Sequence, residues 1–135
     1  MEKRVIKFRG KKDDMSNFNW VYGNLLNECS IGKVGHGLDT YSYGSVVENT
    51  VGQFTGNTDV NGIEIYDGDI LESNNVDGKQ LFLCVFEKSS YVFGWNLVCL
   101  TGQYSPVHNQ VWEDGIIVGN KVDTPELLKA LAKNI

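Results

Sequence analysis

The sequence predicts an all-β fold of short antiparallel strands with one short C-terminal α-helix. Fifteen glycines stand against two prolines, which is typical of a chain with many turns between short strands. Several segments alternate apolar and polar residues with a period of two, as half-buried strands do. Asparagine or aspartate also precedes glycine between apolar residues, a combination that favours tight turns. These pairs are Asn61-Gly62, Asp67-Gly68 and Asp77-Gly78.

The N-terminal third predicts two strands and a loop. Residues 5–9 alternate, and residues 20–26 are rich in strand-forming side chains, so the two segments are expected to pair as a hairpin. Residues 30–45 contain four glycines and show neither a strand period nor a helix period. We therefore expect a long surface loop there.

The middle and C-terminal parts predict further hairpins. The Asn61-Gly62 pair is expected to form a type I′ turn, which needs positive φ at both central residues. A strand that opens at Asp69 and two apolar runs, 79–86 and 91–100, predict a three-stranded meander whose middle strand is buried on both faces. The apolar residues of 111–118 predict one more hairpin.

The helix is predicted near residues 125–133. Thr124 suits the N-cap, Pro125 the first helical position and Glu126 the positive end of the helix dipole. A helix this short does not persist alone, so its apolar stripe must dock on the sheet or on another subunit. The stripe consists of Leu127, Leu128 and Leu131.

Charge is distributed unevenly along the chain. The net charge is −5, yet residues 1–12 hold six cations and one acid, which leaves −10 on the remainder. An acidic body repels polyanions, so we expect neither nucleic acid nor a membrane as a partner. The alternative is a nucleic-acid-binding accessory protein that uses the basic first strand with Phe8, Trp20 and Tyr22. Cations on an outer strand also have a plain structural use, because they deter edge-to-edge aggregation.

Three groups of segments resemble the YopX-like family of phage and prophage proteins. The opening is Lys7-Phe8-Arg9-Gly10-Lys11 with residues 20–25, the central signature is residues 50–56 followed by 59–71, and the C-terminal signature is Val118-Gly119-Asn120 with residues 125–128. They occur in the family's order and cover roughly half of the chain. The central block is long and specific.

The resemblance implies a β-rich fold of small barrel-like modules, often assembled from several chains. It implies no known activity and supplies no catalytic residues. We expect a single YopX-like domain over residues 1–135, with two small β subdomains, about 1–72 and 73–135, as the alternative.

Candidate chemical sites are few. Glu64, Asp67 and Asp69 could divide acid and base roles or hold a cation, but they lack the spacing of a calcium loop. We interpret Asn61, Gly62, Asp67, Gly68 and Asp69 as a structural turn motif instead. The candidate ligands for a zinc site lie far apart in the sequence and lack the short spacing that is typical of zinc fingers. These are His36, Cys84, Cys99 and His108. We expect no metal and no cofactor.

The sequence predicts a protein that is not an enzyme. Cys29 and His36 flank a glycine-rich segment that has no oxyanion motif, and the glycines at 52 and 56 have no following lysine to make a phosphate loop. No signal peptide is visible, and three widely spaced cysteines argue against a disulfide framework, so we expect the host bacterial cytoplasm. The expected role is a non-enzymatic interaction or assembly protein that forms a homo-oligomer and binds an unidentified host or phage protein.

Overall fold

The computed structural model describes residues 6–12, 19–33, 41–75, 78–88, 93–100 and 108–128. The all-β prediction is confirmed, with antiparallel strands and one short α-helix in this part of the chain. The elements are β1 (Phe8–Lys11), β2 (Trp20–Asn27), β3 (Ser30–Lys33), β4 (Tyr41–Ser45), β5 (Gly52–Thr58), β6 (Glu64–Tyr66), β7 (Asp69–Asn75), β8 (Gly78–Lys88), β9 (Phe93–Cys99), α1 (His108–Asp114) and β10 (Ile116–Asn120). Two 3₁₀ turns cover Glu48–Thr50 and Pro125–Leu128.

The chain divides into two compact units, Met1–Gly56 and Asn57–Ile135. The boundary lies inside β5, whereas the subdomain boundary suggested by the sequence, between residues 72 and 73, lies inside β7. In the first unit the strand order is β4-β3-β2-β1-β5, and the predicted pairing of the first two strands is confirmed. Its core contains Ile31, Val46 and Phe54, all at most 8% exposed.

The expectation of a loop over residues 30–45 is wrong for its described ends, which form β3 and β4; residues 34–40 lie outside the described part. A glycine in β2 allows the close pairing of β3 with β2. A Cβ on Gly23 of β2 would lie 2.5 Å from the carbonyl oxygen of Gly32 in β3. The two backbones therefore approach more closely than a side chain would permit.

The sheet of the first unit curls without closing. Val46, just after β4, forms a single antiparallel bridge with Lys12, and the Val47 amide donates to the Lys11 carbonyl at 2.8 Å. One bridge is not a ladder, so the described strands make no closed barrel, and the barrel-like module implied by the resemblance is not confirmed. Gly10 of β1 makes the approach possible, because its missing Cβ leaves room for the Val46 side chain.

The second unit is built on a four-stranded sheet of order β10-β7-β8-β9. The predicted meander is confirmed by continuous pairing of β7 with β8 and of β8 with β9. One face of β8 is fully buried through Phe82 and Cys84, while Leu81 and Leu83 on the other face are half-buried. The buried core cluster consists of Ile65, Leu71, Phe82, Cys84, Leu97 and Val111.

The predicted hairpin over residues 111–118 is wrong. Val111 belongs to α1, and β10 pairs with β7 rather than with the segment before it. A short apolar pair such as Val111-Trp112 does not distinguish a strand from a helix by its period. Both residues pack on the core cluster from the helix, which ends where the Gly115 amide donates to the Val111 carbonyl at 2.8 Å.

Of the segment predicted as a C-terminal helix, only residues 125–128 belong to the described part. Pro125–Leu128 form a 3₁₀ turn rather than a first α-helical turn, and residues 129–135, including Leu131, lie outside the described part. Thr124 does not cap a helix: its hydroxyl donates to the Asn120 carbonyl and accepts from the Asn120 amide, both at 2.9 Å. The segment is thereby tied back to the end of β10.

Candidate functional site

The central signature forms two tight turns around glycines with positive φ, as predicted. Gly62 has φ of 82° and Gly68 has φ of 93°. The first turn is not type I′, because no described residue other than glycine has positive φ. The Gly62 amide instead donates to the Asp59 carbonyl at 2.9 Å, and the Asp59 amide to the Ile63 carbonyl at 2.8 Å. This is a turn of the type I family followed by a left-handed glycine, a common hairpin connection.

Asp59 organises this turn, and sequence reasoning missed it. One carboxylate oxygen accepts the Asn61 and Ile63 amides, each at 2.9 Å. The other oxygen accepts the Ile117 amide of β10 at 3.1 Å. The residue is 4% exposed. Its position three residues before the turn glycine was the available signal, because aspartate side chains commonly bond the backbone two residues ahead.

A substitution tests the left-handed turn glycine. Gly62→Ala is expected to lower the free energy of unfolding by about 1 kcal/mol, because a Cβ strains a backbone with φ of 82°. No atom lies within 4 Å of that Cβ, so the cost is conformational and not steric. Urea unfolding measures it, with Glu113→Ala at an exposed position of α1 as the control. Equal stability of the two variants would contradict the assigned turn.

The three predicted acidic residues stand in different surroundings. Asp69 is 1% exposed, and its carboxylate accepts the Tyr66 amide at 2.7 Å. The Tyr66 hydroxyl donates to Glu64 at 3.1 Å. Asp67 and Gly68 form the turn between β6 and β7, where the Gly68 amide donates to the Cys84 carbonyl. Asp69 and Glu64 thus take part in local hydrogen bonds that hold the turn.

The candidate zinc residues are not brought together in the described part. Cys84 is buried opposite Leu97, and Cys99 stands opposite Phe82. His36 lies outside the described residues, and the side chain of His108 does as well. No group of three histidine, cysteine, aspartate or glutamate side chains among the described residues is placed to hold a metal ion. Cys29 is a free, exposed thiol.

An exposed aliphatic surface surrounds the Asp59 turn. The Val60 amide donates to the Gly115 carbonyl at 3.2 Å, so the turn lies along the outer edge of β10. The Asp59 carboxylate also bonds β10, so the turn is held against the strand. We call this the aliphatic surface; its members are Val60, Ile63, Ile116 and Val118, each between 40% and 56% exposed.

A second feature, in the first unit, combines cations and aromatic rings on one face of β2-β1-β5. Directly opposite pairs place Tyr22 beside Arg9 and Trp20 beside Lys11. Arg9 lies 4.4 Å and Lys11 4.8 Å from the centre of the Trp20 ring. Lys7 lies 5.6 Å from the centre of the Phe54 ring. We call these six residues the basic aromatic face.

The C-terminal signature has a structural explanation too. A Cβ on Gly119 would collide with the Thr124 hydroxyl and lie 3.1 Å from Leu127. The Asn120 side chain accepts the amides of Val122 and Asp123 at 3.0 and 2.8 Å. Leu127 and Leu128 are half-buried, and Leu127 packs at Gly119 of its own chain. The docking role expected of these leucines stays a prediction.

The comparisons with known proteins agree with the resemblance. The family model described as YopX protein matches residues 7–129, which is most of the chain. No curated protein matches the sequence. Within the described residues, no helix is long and apolar enough to cross a membrane.

Proposed function

The chain belongs to the YopX protein family, and from this premise we propose that it is a non-enzymatic assembly protein of phage or prophage origin. It acts in the bacterial cytoplasm and associates with a second copy of itself through the aliphatic surface. The observation that carries this proposal is the exposure of four aliphatic side chains on a turn and strand fixed to each other. Clustered exposed apolar residues mark interaction sites more often than scattered ones do.

The family signatures support a binding role over a catalytic one. The most specific block contributes Asp59, Gly62 and Asp69, and each of these serves the backbone by a hydrogen bond or a left-handed conformation. The C-terminal block contributes Gly119 and Asn120, which make a close approach and a turn. These signature residues therefore have structural roles, and Asp59 in particular holds the turn of the aliphatic surface to β10.

The net charge of the second unit predicts how salt affects the association of two copies. Residues 57–135 hold five lysines and arginines against eleven aspartates and glutamates, a net charge of −6. The aliphatic surface itself carries no charge. Two copies would repel each other through the acidic remainder, and salt screens that repulsion while leaving apolar burial intact. A contact with a basic partner would instead weaken as salt rises.

Sedimentation at two salt concentrations tests the proposal. Four side chains make a small interface, so we expect a dimer with a dissociation constant on the order of 10 µM that tightens between 50 and 500 mM NaCl. Ile63→Ser combined with Ile116→Ser is expected to weaken association at least about tenfold, because apolar area is lost on both copies. Serine is preferred to an acidic substitution because Ile116 pairs with Glu72 of β7, and an acidic residue at position 116 would repel that carboxylate.

The matched control is Ile6→Ser, since Ile6 is 58% exposed but belongs to the first unit. It is expected to leave association unchanged. A monomer at 100 µM in both salts, or a dimer that the double variant does not weaken, would refute assembly through this surface. Urea unfolding of both variants checks that folding is retained.

A further inference from the structure

In the basic aromatic face, the cations lie on β1 or just before it. Aromatic rings of β2 lie on one side of them and the Phe54 ring of β5 lies on the other. Arg9 is 7% exposed and stacks on Trp20, so its role is to hold that ring in place. Phe54 is 8% exposed, and its ring lies beneath the Lys7 ammonium. Tyr22 is 47% exposed, next to Arg9 in register, and offers its ring to solvent.

The two lysines are placed for anion binding at either side of these rings. Lys7, just before β1, and Lys11, at its end, are half-buried and stand four positions apart, about 13 Å along an extended chain. Both point to the face that carries Trp20 and Tyr22, as their ring contacts and the strand register show. A lysine ammonium beside aromatic rings is suited to a ligand that combines negative charge with flat rings.

The charge of the first unit removes the main objection to such a ligand. The expectation against nucleic acid depended on the −10 charge outside residues 1–12. Residues 1–56, however, hold seven lysines and arginines against six acids, a net charge of +1, and the acidic excess belongs to residues 57–135.

We propose that the basic aromatic face binds single-stranded nucleic acid, with a base stacked on Tyr22 and with phosphates at Lys7 and Lys11. This site lies in the first unit and is separate from the aliphatic surface. Stacking on aromatic rings tolerates any base, so the binding is independent of sequence. A duplex keeps its bases stacked inside, so only an unpaired strand can use the rings.

Fluorescence anisotropy with a labelled oligothymidine and with a mixed-sequence duplex tests the site. With two phosphate contacts on a single strand, the affinity is expected to fall about sevenfold between 50 and 200 mM NaCl. Lys11→Gln is expected to reduce that fall to about threefold, since one contact is lost. Tyr22→Ala is expected to weaken binding about tenfold at either salt concentration. The duplex is expected to bind more weakly than the single strand.

Controls on the same unit distinguish the face from general charge. Lys33→Gln and Tyr43→Ala change an exposed cation and a 40% exposed ring on β3 and β4, and both are expected to leave affinity and salt dependence unchanged. Thermal unfolding confirms that each variant is folded. The proposal is overturned if the oligothymidine does not bind at 50 mM NaCl, if the duplex binds as well, or if the control variants weaken binding as much as Tyr22→Ala.

Discussion

Replacing Asp59 with alanine is expected to lower the free energy of unfolding by about 3 kcal/mol or more. Three backbone amides, those of Asn61, Ile63 and Ile117, lose their acceptor in this variant. A hydrogen bond to a charged group contributes about 1.5–3 kcal/mol, and because these three bonds are only partly buried the lower part of that range applies to each. Urea unfolding followed by tryptophan fluorescence measures the loss.

Two further variants separate the hydrogen bonds from the charge. Asp59→Asn keeps one acceptor oxygen, so it retains either the turn bonds or the β10 bond and is expected to cost about half as much. Glu113→Ala removes an exposed carboxylate from α1 and is expected to change stability by less than about 0.5 kcal/mol. If Asp59→Ala and Glu113→Ala were equally stable, the carboxylate would not be holding the turn to β10.

Gly115→Ala is expected to cost about 2–3 kcal/mol through overpacking. The glycine is buried, and a Cβ there would collide with the Val111 carbonyl oxygen and lie 2.9 Å from Leu71 Cδ2. The first neighbour is backbone at the end of α1 and the second is a core side chain, so neither can move cheaply. The helix end or the β7 side of the core must shift.

Gly62→Ala is the matched comparison, because its added Cβ meets no atom and its cost is conformational only. Gly115 is not among the glycines of positive φ, so its cost is steric only. Urea unfolding of the two variants side by side should therefore rank Gly115→Ala as the less stable protein. The reverse order would mean that α1 does not pack against β7 as closely as described.

Short-range chemistry was predictable and long-range contacts were not. Gly62 and Gly68 were identified as turn glycines because asparagine or aspartate followed by glycine favours a tight turn without help from distant residues. The bond from Asp59 to Ile117 joins residues 58 positions apart, and no local pattern announces it. Strands β3 and β4 were missed because the four glycines of residues 30–45 interrupt the alternation expected of a strand. Helix α1 was missed because its two apolar residues fit either period.

The same limit applies to the two surfaces. Strand periodicity placed Lys7 and Arg9 on one side of a strand, but only the register with β2 and β5 brings them to Trp20, Tyr22 and Phe54. The aliphatic surface depends on the Asp59 turn reaching β10, which is distant in the sequence. Both surfaces are products of tertiary pairing and could not be read from any one segment.

The position of β10 also has a consequence for the order of folding. Strands β7, β8 and β9 follow one another as hairpins, whose local contacts form quickly. Strand β10 is made last and pairs with β7, so the chain must close a long loop before Ile117 meets Asp59. We expect the meander to form first and the hydrogen bond between the Ile117 amide and the Asp59 carboxylate to form late in folding. Until β10 pairs, one edge of β7 has no partner strand in the folding chain. Pairing of β10 with β7 then covers this edge.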